Sequence, residues 1–228
     1  MKNKIICFHG LHQNKNIFLK KLSPVIQFLQ NQNDVSFKFL EGPVAVLPRI
    51  LLTKKSNLQK TGSTKKKAID PEIEYRGWWN PWSSDKDVWI ALAPLLKELE
   101  TEDCSGIWGF SQGAALAHLI CTEDISKQLN WKPKLVIFSS GFISKTSFLG
   151  KCYAEDRLIQ DVNTMHIYGK TDQVIPPAKS IELLKAFEKH SSETQCNISE
   201  YVHGQGHTIP SNDIRMVKKI ESFIQKTL

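Results

Sequence analysis

Short apolar runs alternate with longer segments whose apolar residues recur three and four positions apart, along most of the chain. Lys4 to Phe8 is long enough for a strand, and His9-Gly10 ends it. Asn16 to Gln30 carries Ile17, Leu22, Val25, Ile26 and Leu29 at helical spacing; Val35 to Leu40 alternates as a second strand, broken by Glu41-Gly42-Pro43. Asp85 to Glu100 predicts a helix capped by Ser84 or Asp85, with Pro94 as a kink or a tight first turn. Gly106 to Phe110 predicts a strand and Gln112 to Cys121 a helix, with only Ser111 between them. Leu135 to Phe138 and Met165 to Tyr168 read as buried strands, Pro177 to His190 as an amphipathic helix and Ile198 to Val202 as a late strand. Asp213 to Thr227 closes the chain as a helix with Ile214, Val217, Ile220, Phe223 and Ile224 on its apolar face. Strands alternating with helices in this way predict an α/β class fold: a mostly parallel central sheet with helices on both faces.

The pattern fails in one place. From about Leu51 to Ile73 the periodicity disappears under Lys, Ser, Thr, Gln and Gly. With 228 residues and 41% apolar content the chain suits one domain. The stretch at about 53–70 therefore reads as a mobile Lys-rich insertion rather than a boundary. It also accounts for most of the net charge of +7, because Lys54, Lys55, Lys60, Lys65, Lys66 and Lys67 all fall in it. A basic loop without interleaved aromatics is a solvated face, so no nucleic-acid partner is expected. No apolar run approaches the roughly 18 residues of a membrane span, and the N-terminus lacks a signal-peptide cleavage pattern. Five cysteines without C-x-x-C spacing, Cys7, Cys104, Cys121, Cys152 and Cys196, favour free thiols and a cytoplasmic location. Trp78, Trp79 and Trp82 are crowded into Tyr75-Arg76-Gly77-Trp78-Trp79-Asn80-Pro81-Trp82, either as core or as the wall of an apolar pocket.

The chemistry centres on Gly109-Phe110-Ser111-Gln112-Gly113. This is the G-x-S-x-G nucleophile elbow, a sharp strand-to-helix turn that lifts a serine hydroxyl clear of a sheet. A serine needs a base within hydrogen-bond reach and a group to orient that base. In this architecture they follow in the order serine, acid, histidine, at the C-terminal ends of strands. Asp172 lies in a turn just past the Met165–Tyr168 strand; Asp161 precedes that strand and falls at the wrong end of the sheet. His207 lies in Gly204-Gln205-Gly206-His207, a loop flexible enough to reach Ser111. His203 is nearer its strand and packs or bonds there; His118 and His166 read as structural, His190 as a helix-end cation, and His12 as a residue able to line the site. Two backbone N–H groups would form an oxyanion hole: that of Gln112, after the nucleophile, and that of Leu11, after the His9-Gly10 turn. Phe110, Phe142, Ile175, Trp78 and Trp79 are candidate acyl-pocket lining. No metal-ligand spacing, phosphate loop or dinucleotide fingerprint is present in the sequence, so no cofactor is implied.

These motifs resemble the FSH family of serine hydrolases, a branch of the α/β-hydrolase superfamily. The likeness is carried by Phe8 to Asn14, Arg76-Gly77-Trp78-Trp79, Gly109 to Leu116, Ser140-Gly141-Phe142, Gly169 to Pro176 and Gly206 to Pro210. The Arg-Gly-Trp-Trp block is most similar to the ovarian cancer-associated esterase group. The resemblance implies that Ser111, Asp172 and His207 match the family triad and that Leu11 and Gln112 match its oxyanion donors. It also implies hydrolysis of carboxylic esters or thioesters. Medium or long acyl chains are expected if the aromatic side chains line the pocket. A thioesterase using the same triad and a binding module on a hydrolase fold are the alternatives. The chain departs from the family pattern where Gln205 interrupts the usual Gly-Gly-His, and in its Lys-rich insertion.

Overall fold

A computed structural model describes residues 2–46, 73–129, 131–143, 158–159, 161–191 and 196–228. The expected insertion at 53–70 and Cys152 lie outside the described residues. Among the described residues, six strands form one parallel sheet: β1 (Asn3–Phe8), β2 (Val35–Leu40), β5 (Gly106–Phe110), β6 (Leu135–Ser139), β7 (Asn163–Gly169) and β8 (Ile198–His203). Their spatial order is β2-β1-β5-β6-β7-β8, and every pairing is parallel. A second, two-stranded ladder pairs β3 (Val44–Ala45) with β4 (Arg76–Gly77) in antiparallel fashion. Strands of two residues carry no readable alternation, so the sequence pattern missed this ladder.

Side chains on a strand alternate between faces, and here both faces are apolar because both are covered. Ile5, Cys7, Trp108, Phe110, Leu135 and Ile137 point to one core. That core is closed by α1 (Lys15–Gln32) and α6 (Ile214–Thr227). Ile6, Phe8, Ile107, Val136 and Phe138 point to the other. It is closed by α2 (Asp85–Glu100), α3 (Gln112–Ile120), the short α4 (Glu123–Ser126) and α5 (Pro177–Ser191). The expectation of helices on both faces holds.

Local chemistry sets the helix limits. Asn14 caps α1 by accepting from the Ile17 N–H at 2.8 Å, Ser84 caps α2 through the Asp87 N–H at 3.3 Å, and Asp213 caps α6 through the Arg215 N–H at 3.0 Å. Among the described residues, two helices run through a proline. In α1, Pro24 cannot donate to the Lys20 carbonyl, and the Ser23 hydroxyl donates to it instead at 3.0 Å. In α2, Pro94 lies within the helix on its exposed side and not in the first turn, so α2 continues to Glu100.

The topology creates a crevice. From β1 the chain moves outward to β2, and later returns to β5 on the other flank of β1. Connections that leave adjacent strands in opposite directions open a cleft at the strands' C-terminal ends, where ligands bind in open α/β sheets. The His9–Leu11 loop follows β1 and Ser111 follows β5, so the two stand on either side of this cleft.

Candidate active site

Ser111 stands between β5 and α3 with φ 54° and ψ −115°, outside the regions that ordinary side chains prefer. Its N–H donates to the Ser139 carbonyl at 2.9 Å, and its carbonyl accepts from Ala114 and Ala115 at 2.9 and 3.0 Å. The turn is tight enough to exclude side chains from both flanking glycines. A Cβ on Gly109 would lie 2.3 Å from the Gly113 carbonyl oxygen, and one on Gly113 would lie 2.2 Å from that of Phe8. The two glycines let helix and strand approach, as the elbow pattern requires.

The three expected loops meet here. His207 Nε2 is 3.0 Å from Ser111 Oγ, and His207 Nδ1 is 2.7 Å from Asp172 Oδ2. The network assigns the neutral tautomer: Nδ1–H donates to Asp172, and Nε2 accepts from the serine hydroxyl. Asp172 is only 3% exposed, and its other oxygen accepts from the Val174 and Ile175 N–H groups, both at 2.9 Å. Burial pushes its pKa up. The His207 hydrogen bond and the two backbone donors, joined by the positive charge of His207 whenever its ring is protonated, outweigh burial and hold the pKa below the usual carboxylate value. Asp161, by contrast, is exposed ahead of β7, at the opposite end of the sheet.

One contact to Asp172 went unread in the sequence. The Ser140 hydroxyl donates to Asp172 Oδ2 at 3.0 Å, from a residue with φ 46° just past β6. Its sequence signal is slight: a hydroxyl at the end of a buried strand, in Ser139-Ser140-Gly141.

The oxyanion candidates flank the serine. Gln112 begins α3, where the first N–H groups of a helix lack internal partners. Leu11 follows a turn in which the Gly10 carbonyl accepts from His9 Nδ1 at 2.8 Å and from the Gln13 N–H at 3.2 Å.

The residues expected to line an acyl pocket divide. Trp78 has no exposed surface and Trp79 is 3% exposed, so both belong to the core rather than to a pocket wall. The physical reason is polar: the Trp78 indole N–H donates to the buried His9 carbonyl at 2.7 Å, anchoring the ring inside. Phe110 is likewise buried, beneath His207. Its ring packs on His207 with centroids 4.9 Å apart, and the Lys21 ammonium sits 4.2 Å from the Phe110 centroid. Phe142 and Ile175 are half-buried and keep accessible apolar surface. Trp82 is 78% exposed.

Three further histidines, His203, His118 and His166, are buried. His203 is buried and accepts from the Gln205 N–H at 3.2 Å. His118 and His166 are buried beside Phe187, and burial lowers each pKa to about 3. Among the described residues, no group of three or more His, Cys, Asp or Glu side chains is arranged to hold a metal ion. Nor is any helix among them long and apolar enough to cross a membrane.

A parallel six-stranded sheet covered on both faces, with a serine elbow at the end of its β5 strand, defines an α/β-hydrolase fold. The solved structure of esterase PE8 superposes over all of this chain and 93% of its own with a TM-score of 0.63, at 18% identity. The chain belongs to the serine hydrolase (FSH1) family, whose model matches residues 1–219. An esterase of Aedes aegypti, AAEL000016, is 26% identical over 99% of this chain and 76% of its own length. Esterase OVCA2 of Danio rerio is 27% identical over 91% of this chain and 90% of its own.

Proposed function

We propose that the protein hydrolyses carboxylic esters through an acyl-enzyme on Ser111. The observation that carries this reading is the position of His207, 3.0 Å from Ser111 Oγ and 2.7 Å from Asp172 Oδ2. As the serine oxygen attacks the ester carbonyl, its proton passes to His207 Nε2. Asp172 keeps the imidazole in the required tautomer and stabilises the imidazolium. The carbonyl oxygen, now negative, is met by the N–H groups of Leu11 and Gln112. His207 then protonates the departing alkoxide, and the same groups guide water to the acyl-serine. The names of the relatives, esterases in both insect and fish, support an ester as substrate.

A preference for medium or long acyl chains is part of the proposal and rests on Phe142 and Ile175. A panel of p-nitrophenyl esters tests it, and a preference for acetyl would overturn it. Matched thioesters in the same panel test the thioesterase alternative through relative kcat/KM.

The central experiment is labelling with a fluorophosphonate probe. Wild type should label and Ser111→Ala should not, with kcat reduced by up to about 10⁶-fold and Asp172→Ala reduced less. Ester hydrolysis near the wild-type rate in Ser111→Ala would sink the mechanism.

A further inference from the structure

The Trp78-Trp79 pair is too buried to touch substrate, yet its hydrogen bonds connect the two segments that carry the backbone donors assigned to the oxyanion. That connection can be followed bond by bond. In a trans peptide the carbonyl and the following N–H point in opposite directions. The Gly10 carbonyl is held by His9 Nδ1 at 2.8 Å and by the Gln13 N–H at 3.2 Å, so the Leu11 N–H of the same peptide must point the other way. The peptide before it is also held at both ends. The Gly10 N–H donates to Gln13 Oε1 at 3.1 Å, and the His9 carbonyl accepts from the Trp78 indole at 2.7 Å. His9 Nε2 accepts from the Gly42 N–H at 2.9 Å, which leaves Nδ1 carrying the proton that the Gly10 carbonyl needs.

Trp78 reaches the second donor from its other end. Its backbone N–H donates to Gln112 Oε1 at 3.0 Å, and Gln112 Nε2 donates to the Trp79 carbonyl at 2.7 Å. The Gln112 amide is therefore used on both sides by the tryptophan segment, while its backbone N–H begins α3. Gly77, one residue earlier, fits against the side chains of both residues: a Cβ there would lie 2.7 Å from Leu11 Cδ1 and 3.0 Å from Gln112 Oε1. The indole is packed edge-on against Phe8 at 5.1 Å and over the His9 ring at 4.9 Å, so it has no room to adjust.

We propose that Trp78 is a positioning residue that fixes the Leu11 and Gln112 N–H groups relative to one another. The role rests on the oxyanion assignment made above. Trp78 touches no reacting atom. It acts through the His9 carbonyl on one side and the Gln112 side chain on the other. A tryptophan that only filled the core would contribute to stability and leave the chemical step alone.

Two variants each cut one tie. Trp78→Phe keeps an aromatic ring and removes the indole donor; Gln112→Glu keeps an acceptor for the Trp78 N–H and loses the donor to the Trp79 carbonyl. Leu99→Ala, in the same core but on α2, serves as a control that loses stability only. With a p-nitrophenyl ester, Trp78→Phe and Gln112→Glu should each lower kcat about 10- to 100-fold, less than the loss of a whole oxyanion donor, with KM held within about twofold. Affinity for a trifluoromethyl ketone, whose serine adduct carries the same oxyanion, should fall by the same factor as kcat/KM. Leu99→Ala should lower Tm at least as far with kcat unchanged. If Trp78→Phe loses Tm but keeps wild-type kcat and ketone affinity, Trp78 is core only and the proposal fails. Should Trp78→Phe not fold, wild-type kcat in Gln112→Glu overturns it equally. Neither result touches the hydrolytic mechanism, which stands or falls with Ser111→Ala.

Discussion

His207 and the pair His118 and His166 are the same side chain used in opposite ways. His207 keeps 18% of its side chain exposed, and both ring nitrogens have polar partners, Nε2 accepting from the Ser111 hydroxyl and Nδ1–H donating to Asp172. His118 and His166 lie in the core on the far side of the sheet from Phe110, against Phe138 and Phe187. Burial there pushes each pKa down to about 3, so neither exchanges a proton near neutral pH. Position in the fold makes the difference. His207 comes from a loop at the C-terminal edge of the sheet, where strands end and side chains converge. The other two come from the last turn of α3 and the middle of β7, inside the core, where few polar neighbours reach them.

The comparison breaks at its strongest point if the base is not needed. His207→Ala should reduce kcat by about 10⁵- to 10⁶-fold, as removal of a triad base does, while leaving Tm close to wild type. A much smaller loss under steady-state assay would remove His207 from the mechanism.

The buried pair makes the next largest mark, on stability rather than rate. The folded pKa values near 3 lie below the value near 6.5 expected for an unfolded histidine. As pH falls through about 6.5 the unfolded chain takes up protons that the folded chain refuses, so stability falls with pH by about 1.4 kcal/mol per unit for each histidine. The decline ends near pH 3, and above about pH 7 these two groups contribute no slope. Urea midpoints measured from pH 7.5 to 4.5 should show this, and His118→Leu should remove about half of the pair's share of the slope with kcat at pH 7.5 unchanged. An unaltered slope in that variant would mean that His118 is already protonated in the fold.

The smallest effect concerns the loop that presents His207. A Cβ on Gly204 would meet nothing within 4 Å. Gly204→Ala should therefore change stability by no more than about 0.5 kcal/mol and leave kcat within twofold. A large loss of kcat would show that the loop before Gln205 must flex to deliver His207.

The parts of this site that follow from position along a strand were legible in the sequence. Asp172 was separable from Asp161 because one follows its strand and the other precedes it. Ser111 was legible because its glycines have only one steric use, which the contacts at Gly109 and Gly113 display. Harder to read were the polar ties between distant segments. Nothing in Arg76-Gly77-Trp78-Trp79 states that an indole N–H will find the His9 carbonyl, since an apolar ring in a core and one on a pocket wall have the same composition. The Ser140 hydroxyl on Asp172 is of the same kind, a single hydrogen bond made across the sheet with no period to announce it. The β3–β4 ladder is too short for alternation, yet it holds Gly77 against the side chains of Leu11 and Gln112.

The elbow residue carries one more consequence. A backbone with φ 54° and ψ −115° persists only while its surroundings hold it. Here the hold is supplied by the Ser139 carbonyl, the first turn of α3 and the close seating of Gly113 on β1. Ser111 is in that respect a strain gauge for the whole sheet. Conditions that loosen the packing of α3 against the strands would let this residue relax into an ordinary conformation while helices and strands are still intact, and on the proposed mechanism hydrolysis would then fail before the fold does.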